Sequence, residues 1–342
     1  MLFNIFKKIN HRKPGLLIVG HDLKFLTPVI NHLKEKQDFS VEQYTYPSHV
    51  INDKKALLRM LPGYKIAFCE WGLGNVSFIS QHKPRGLKLV VRIHLQEFST
   101  DFLNETNWEQ VDAMIFISEF QLERFRQLFP DHAHKSRLIY NVIDCCNLDR
   151  PKEEDARFTL GMMGILPMRK WPHLGVEILY ELKQHDDRFK ISIKSKRPEE
   201  LEWLWRRPEE REYYDQLYAM IESRGLKDSV IFEPHGDDVP DWFHRIGFIL
   251  SPSEFEGSHQ SVAEGMAAGS VPVVRNWPGA TPLYPSKYVF TEVKEAAEII
   301  LRHTDQETFR RESDQVKRYA VENFDRSVIL PKYDQLLLSL VK

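Results

Sequence analysis

Two carboxylates lie on either side of a predicted strand-to-helix turn. The apolar run 246–250 is typical of a buried strand, Gly257 allows a tight turn, and residues 260–268 have the composition of a helix. Glu256 then precedes the helix, and Glu264 lies within it. A crevice at the carboxyl end of a parallel strand, next to the free N–H groups of a helix N-terminus, suits a phosphorylated ligand. Carboxylates beside such a crevice can accept hydrogen bonds from sugar hydroxyls.

The elements that must position these residues recur along the whole chain. Short apolar or β-branched runs alternate with stretches of helical composition, an order typical of α/β proteins with doubly wound parallel sheets. Strands are predicted at 15–20, 65–70, 87–93 and 113–117 in the first half, where 137–144 is a strand that runs into a turn. In the second half they are predicted at 158–163, 189–194, 229–232, 246–250 and 271–274. Helices are predicted at 26–33, 118–128, 173–184 and 260–268. The charged block 199–212 is typical of a solvated helix face with buried tryptophans.

Length and a charged linker predict two domains. A chain of 342 residues is longer than one average domain and suffices for two, each with its own core. The polar stretch 147–157, which contains Pro151, is typical of a linker. We therefore predict an N-terminal Rossmann-like domain at 1–147 and a C-terminal Rossmann-like domain at 148–325.

The residues around the two glutamates resemble the donor-site signature of retaining GT-B glycosyltransferases of the family 4 type. The shared features are the Glu-x7-Glu spacing, the preceding Pro-Ser, the Glu-Gly-Met-Ala-Ala-Gly that starts at Glu264, and the Val-Pro-Val-Val strand that follows. The resemblance implies the GT-B fold, in which two Rossmann-like doubly wound domains face a central cleft. It also implies a nucleotide-sugar donor in the C-terminal domain, an acceptor in the N-terminal domain, and a final helix, 326–342, that returns to the N-terminal domain.

The same resemblance assigns roles to residues of the second half. It implies that Glu256 contacts the donor sugar and is catalytic, that Glu264 binds the ribose hydroxyls, and that Lys170 stabilises charge on the departing diphosphate. The other residues expected to bind the donor are Gly164, Arg169, Gly257, Ser258, His259 and Gln260. The family has arginine where this chain has Ile165, and our hypothesis is that Arg169 supplies the second phosphate cation.

In the first half, residues that follow the predicted strands are expected to face the acceptor. The family has a histidine near the transferred sugar after the strand that ends here at His94, so His94 is predicted to be catalytic, although a strand-end histidine is often structural. Arg92 lies on the same face of that strand. The residues expected on the acceptor side are Gly20, His21, Asp22, Trp71 and Arg92. For the Trp71 ring, the sequence allows two roles: stacking on an acceptor sugar and packing in the core.

Composition excludes several other kinds of function. The formal net charge of −2 gives no general attraction to nucleic acid. The three cysteines show no Cys-x-x-Cys spacing, and the sequence contains no Asp-x-Asp and no His-x-x-x-His. We therefore expect no metal, no cofactor and a reducing, cytoplasmic location.

The first 14 residues allow two interpretations. Apolar residues are interspersed with basic ones: Leu2, Phe3, Ile5, Phe6 and Ile9 with Lys7, Lys8, Arg12 and Lys13. This pattern favours peripheral contact with the anionic inner membrane surface. A frayed terminus explains it equally well. No apolar run reaches the roughly 18 residues of a transmembrane helix.

Together these features predict a metal-independent, retaining glycosyltransferase. It would move a sugar from a nucleotide-sugar donor to a glycan or lipid-linked acceptor, in the synthesis of surface polysaccharide or glycoconjugate. The alternative is a non-catalytic GT-B subunit that binds a glycan or a partner protein, for which Ile165 is the main support. A nicotinamide-dependent dehydrogenase is more distant, because Gly-x-Gly-x-x-Gly is missing after the first strand.

Overall fold

The structure is a computed structural model that describes residues 13–342, and these form two compact units. Unit 1 consists of the chain up to Phe116, Phe125–Ile139 and Leu330–Lys342, and unit 2 of Ile117–Arg124 and Tyr140–Ile329. The stretch predicted to contact membrane lies outside the described residues except for its last two positions. No helix within the described part is both long and apolar enough to cross a membrane.

Unit 1 contains a six-stranded parallel sheet. Its strands are β1 Gly15–Gly20, β2 Ser40–Thr45, β3 Ile66–Glu70, β4 Lys88–Ile93, β5 Ala113–Phe116 and β6 Ser136–Leu138, in the order β2-β1-β3-β4-β5-β6. The edge strand β2 is missing from the predicted strands because it is polar and mostly exposed, and so lacks the apolar run of a central strand. In the stretch 137–144, predicted as a strand that runs into a turn, β6 ends at Leu138, and the backbone of Ile143 pairs with Phe324 and Arg326.

Unit 2 contains a second six-stranded parallel sheet. Its strands are β7 Thr159–Met163, β8 Lys190–Lys194, β9 Val230–Glu233, β10 Phe248–Ser251, β11 Val271–Arg275 and β12 Val289–Phe290, in the order β12-β11-β10-β7-β8-β9. All five strands predicted for this half are present, each within two residues of its expected bounds. Their apolar side chains form the buried core of the unit. The predicted doubly wound α/β architecture is confirmed.

Helices connect the strands. They are α1 Thr27–Lys36, α2 Lys54–Met60, α3 Gly74–His82, α4 Phe102–Glu105, α5 Glu119–Leu128, α6 Cys145–Leu148, α7 Pro172–Lys183, α8 Glu202–Trp205, α9 Pro208–Ser223, α10 Val239–His244, α11 Gln260–Ala267, α12 Ala280–Leu283, α13 Val293–Leu301, α14 Gln306–Phe324 and α15 Arg326–Val341. The expectation of buried tryptophans in block 199–212 is wrong for Trp203, which is 55% exposed. The single turn of α8 directs Leu204 into the core and leaves Trp203 at the surface, against the Arg207 guanidinium.

In each sheet the strand order reverses once. The reversal lies between β1 and β3 in unit 1, and between β7 and β10 in unit 2. In doubly wound sheets, such a reversal opens a crevice at the carboxyl ends of the strands, where ligands bind. In unit 2, Gly265 lets α11 pack closely on β10, since an added Cβ would lie 2.7 Å from Ile249 Cγ2. This close packing holds the N-terminus of α11 beside the crevice.

Candidate functional site

Lys170 and Glu256 meet at the crevice of unit 2. Lys170 ends a short turn after β7, and Glu256 lies in the loop between β10 and α11. Lys170 Nζ is 2.5 Å from Glu256 Oε1, and the Ser253 hydroxyl donates to the same oxygen at 2.7 Å. The two charged side chains are 15% and 8% exposed, respectively. The structure therefore brings together two of the residues predicted to be catalytic.

Backbone contacts join the two loops that carry this ion pair. The Glu254 N–H donates to the Arg169 carbonyl at 2.8 Å, and Arg169 Nη1 donates to the Phe255 carbonyl at 3.0 Å. The Arg169 guanidinium also lies 5.0 Å from the centre of the Phe255 ring, and Nη1 lies 3.8 Å from Glu256 Oε2. Arg169 thus adds positive charge to the site and holds the loop that carries Glu256.

Arg275, which was not predicted from the sequence, contacts the loops of Lys170 and Glu256 from a third strand. It is the last residue of β11, and its Nη1 donates to the carbonyls of Glu254 at 3.1 Å and Ser253 at 3.4 Å. Its guanidinium lies 4.4 Å from the centre of the Trp171 ring. Its signal in the sequence is its position directly after the apolar run 271–274. That position is the carboxyl end of a parallel strand, where crevice residues lie.

Burial and neighbouring charges set the protonation of the site. Burial opposes ionisation of Glu256, but His259 when protonated, Lys170 and Arg169 outweigh it and lower the Glu256 pKa to about 2. Burial lowers the pKa of Lys170, and Glu256 counteracts this effect. Burial, followed by the charge of Lys170, lowers the pKa of His259 to about 4. At neutral pH, Glu256 is therefore ionised and His259 is neutral.

The other predicted donor-binding residues of this region lie in the loop before α11 and at its start: Gly257, Ser258, the N-cap residue His259, and Gln260, the first residue of the helix. His259 is buried, with Nδ1 at 2.5 Å from the Ser251 hydroxyl. Gln260 Nε2 donates to Glu264 Oε1 at 2.8 Å. Burial raises the pKa of Glu264, and the Gln260 hydrogen bond partly opposes the rise. Because α11 begins at Gln260, Glu264 lies about one turn inside the helix.

The turn after β7 explains why position 165 carries no charge. Gly164 has a φ of 75°, in the left-handed region that favours glycine. The side chain of Ile165 is fully buried in the core of unit 2, and its carbonyl accepts a hydrogen bond from the Tyr214 hydroxyl at 2.6 Å. Position 165 therefore contributes packing to the core of unit 2.

In unit 1, predicted acceptor-side residues gather at the carboxyl ends of β1, β3 and β4. The Trp71 ring stacks on the His94 ring with a centroid distance of 3.9 Å, and Trp71 Nε1 donates to the Asp22 carbonyl at 3.0 Å. The ring of His21 lies 5.8 Å from that of Trp71, and Gly20 ends β1 directly before His21. Trp71 adopts a φ of 62°, which is unusual for a bulky residue and marks a constrained turn.

A buried ionic network fixes His94. Its Nε2 lies 3.1 Å from Glu70 Oε1, which also accepts a hydrogen bond from Arg92 Nη1 at 2.6 Å. Arg92, expected on the acceptor side, is 1% exposed and pairs with Glu70, so its guanidinium is buried within this network. Glu97, which the sequence analysis misses, accepts the backbone N–H groups of Gly72 at 2.7 Å and His94 at 3.0 Å. Burial raises the pKa of Glu97.

The predicted site residues thus form one group in each unit. The group in unit 2 combines a cation, carboxylates and a helix N-terminus, and the group in unit 1 combines aromatic rings with buried charges. Within residues 13–342, no group of three or more His, Cys, Asp and Glu side chains is placed to hold a metal ion.

Comparison with solved structures identifies the fold. HepE of Anabaena, in complex with UDP and glucose, has a TM-score of 0.73 and 17% identity, covering 95% of this chain and 100% of that one. A glycosyltransferase from Rickettsia africae has a TM-score of 0.73 and 12% identity, covering 97% and 100%. Sucrose-phosphate synthase from Thermosynechococcus elongatus has a TM-score of 0.71 and 15% identity, covering 96% and 99%. No family model and no curated protein sequence matches this chain. The likeness confirms the GT-B fold that the sequence resemblance implies.

Proposed function

We propose that this GT-B chain is a retaining glycosyltransferase that moves a sugar from a nucleotide sugar to a glycan or lipid-linked acceptor. The observation that carries the proposal is the convergence of Lys170, Glu256 and the first turn of α11 at the crevice of unit 2. A cation, a carboxylate and free backbone N–H groups are the parts needed to bind a diphosphate joined to a sugar.

In the proposed donor complex, the diphosphate lies between Lys170 and the N-terminus of α11. Glu264 accepts hydrogen bonds from the ribose hydroxyls, and Glu256 accepts them from hydroxyls of the sugar. Structures of Anabaena HepE hold UDP in one case and UDP-glucose in another. Because these proteins share the fold, a UDP-linked sugar is the first donor to test.

Catalysis in this proposal consists mainly of stabilising charge as the bond between sugar and phosphate breaks. Negative charge then grows on the departing diphosphate, and Lys170, Arg169 and the N–H groups of α11 stabilise it more in the transition state than in the ground state. These groups belong to the chain itself and need no metal ion. The family resemblance implies that the acceptor attacks from the face on which the diphosphate leaves, so the anomeric configuration is retained.

The acceptor side of the proposal belongs to unit 1. Trp71 is held by the Asp22 carbonyl, and His94 by Glu70 and Glu97, at the edge where doubly wound sheets bind ligands. His94 would contact the transferred sugar, and the Trp71 ring would contact the acceptor. A role in surface polysaccharide synthesis at the cytoplasmic membrane face rests on the family resemblance and on the basic, apolar N-terminal stretch.

A panel of nucleoside diphosphates and nucleotide sugars tests the donor site. A ligand that binds the folded state raises Tm by mass action. We expect nucleoside diphosphates of one base, and the nucleotide sugar that carries one particular sugar on that base, to raise Tm most. In Lys170→Met, we expect the shift to be lost and the release of nucleoside diphosphate to fall by about 100-fold or more. Lys196→Met removes an exposed lysine after β8 and is the matched control. If Lys170→Met retains the full shift, or if no nucleotide raises Tm of the wild type, the proposal is wrong.

A non-catalytic GT-B subunit is the second candidate, because a buried isoleucine occupies the position of a family cation. Such a subunit would bind a glycan or a partner without consuming a nucleotide sugar. Release of nucleoside diphosphate from the donor identified by the panel, abolished in Glu256→Ala, would exclude it. Binding of the donor with no release, even after long incubation with cell-derived acceptors, would favour it.

A further inference from the structure

We propose that Glu256 makes the site of unit 2 select nucleotides that still carry their sugar over the nucleoside diphosphate left after transfer. This inference rests on the proposed function and adds to it a reason for the product to leave. It concerns the binding preference of the site, in addition to the contact of Glu256 with the sugar.

The starting observation is that the ammonium of Lys170 and the carboxylate of Glu256 pair with each other. Lys170 Nζ lies 2.5 Å from Glu256 Oε1, and both side chains are largely buried. A phosphate that recruits Lys170 therefore competes with the carboxylate for the charge of its ammonium group. A buried carboxylate that loses its cation incurs a large part of its desolvation cost.

The other neighbours of Glu256 do not replace Lys170. Ser253 already donates to the same oxygen, at 2.7 Å. The nearest Arg169 nitrogen is 3.8 Å from Glu256 Oε2, longer than a hydrogen bond, and it donates to the Phe255 carbonyl. His259 Nδ1 is 3.9 Å from Glu256 Oε1.

The nucleotide sugar and the nucleoside diphosphate then differ in the contacts that they offer to the Glu256 carboxylate. A nucleotide sugar brings hydroxyl donors to the carboxylate while its diphosphate takes Lys170. A nucleoside diphosphate brings only more negative charge. Since hydrogen bonds to charged groups contribute about 1.5–3 kcal/mol, we expect the wild type to bind the nucleotide sugar about tenfold more tightly than its nucleoside diphosphate, or better.

Titration calorimetry on the full chain tests this with UDP and UDP-glucose, or with the equivalent pair if the panel identifies another base. In Glu256→Gln, the amide keeps the shape and an acceptor oxygen but no longer competes for Lys170 by charge. We expect the nucleoside diphosphate to bind about tenfold more tightly than to wild type, and the preference for the nucleotide sugar to disappear. Transfer should fall at the same time.

Two further variants control the result. Glu254→Gln removes the same charge from an exposed side chain on the same loop, and we expect it to leave the preference unchanged. Ser253→Ala removes the hydroxyl that donates to Glu256 Oε1, so the carboxylate depends more on Lys170. The ratio of affinities for the nucleotide sugar and the nucleoside diphosphate should therefore increase. Because Ser253→Ala changes the preference in the opposite direction, it tests the inference even if Glu256→Gln folds poorly.

The possible outcomes separate this inference from the proposed function. If Glu256→Gln weakens binding of both ligands equally, Glu256 only holds its loop in place and the inference is wrong. The inference is also wrong if Glu254→Gln changes the preference as much as Glu256→Gln does. If wild type binds neither member of any pair in the panel, the proposed function itself fails.

Discussion

Glu256 is a carboxylate that stays charged although it is only 7% exposed. Burial alone favours the protonated form of a carboxylate. Glu256 remains ionised because Lys170 and Ser253 contact one of its oxygens and Arg169 lies near the other. Each member of this group therefore affects the charge of the others, so substitutions here change stability as well as ligand binding.

The stabilisation that Glu256 provides depends on pH in a defined direction. Its pKa is lowered from 4.5 to about 2, so its contribution is complete above pH 4.5 and is lost as the pH falls towards 2. Below pH 4.5, the difference in unfolding free energy between wild type and Glu256→Gln should shrink by up to about 1.4 kcal/mol per pH unit. Urea unfolding of both proteins at several pH values measures this. A difference that stays constant as the pH falls below 4.5 would show that Glu256 is not held ionised in the folded state.

The sequence predicts some residues of the site and misses others for a physical reason. Glu256, Glu264 and Lys170 can be predicted because each belongs to a short motif with a fixed spacing. Arg275 and Glu97 cannot, because they act on backbone groups distant in the chain, such as the Glu254 carbonyl and the Gly72 N–H. Backbone groups are the same in every residue, so such contacts leave no pattern in the sequence.

At the scale of elements, three loops act together as the frame of the proposed donor site. They follow β7, β10 and β11; the first contains Lys170, the second contains Glu256, and Arg275 is the last residue of β11, before the third. Arg275 links all three, since its guanidinium contacts the Trp171 ring and the carbonyls before Glu256. Because the planar guanidinium combines a stacking face with several donors, lysine cannot replace it.

Loss of Arg275 should therefore disturb catalysis more than folding. In Arg275→Ala, we expect kcat to fall by about tenfold or more, since a small misplacement of Glu256 and Lys170 is costly for catalysis. Guanidinium ions added at millimolar concentration should restore part of the activity. Arg275→Lys should stay as impaired as the alanine variant.

Arg245→Ala is the control for the Arg275 variants, because it removes an arginine of the same unit that pairs with Glu233 outside the site. We expect it to lower Tm and to show no rescue by guanidinium. If Arg275→Ala lowers only Tm, with unchanged kcat, Arg275 does not position the site.

Most elements can be predicted from apolar runs, and each exception lacks such a run or depends on a contact distant in the chain. The central strands are buried on both faces and stand out as apolar runs, whereas β2 is an exposed edge strand. After β6 ends at Leu138, Ile143 pairs with the backbone near Asp325, a long-range contact that no local pattern indicates. Trp203 is exposed because α8 is a single turn, too short for the 3.6-residue period to assign its faces.

At the scale of the whole molecule, both units use the same plan of six parallel strands with one reversal of order. The chain ends in α15, whose residues from Leu330 onwards belong to unit 1. There Tyr333 is fully buried with its ring 6.3 Å from that of Phe68. Asp334 accepts hydrogen bonds from His32 at 2.9 Å and Lys36 at 2.8 Å, both on α1. The last residues of the chain are therefore part of the fold of unit 1.

Loss of the Asp334 carboxylate should destabilise unit 1 without altering donor binding. In Asp334→Ala, we expect the unfolding free energy to fall by about 1–3 kcal/mol, because charge-assisted hydrogen bonds to a mostly buried side chain are lost. Chemical denaturation measures this, and the Tm shift caused by the donor should match that of wild type. Asp38→Ala, which removes a more exposed partner of Lys36, should cost much less. Equal losses in the two variants would contradict the importance of the α1–α15 contact.

The most direct test of the account is a crystal structure of the chain with the nucleoside diphosphate that raises Tm most. We predict that the diphosphate contacts Lys170 and the first N–H groups of α11, and that the ribose hydroxyls contact Glu264. In that complex, Lys170 Nζ should have moved from Glu256 towards a phosphate oxygen. A nucleotide bound elsewhere in the chain, with the ion pair of Lys170 and Glu256 unchanged, would contradict the account.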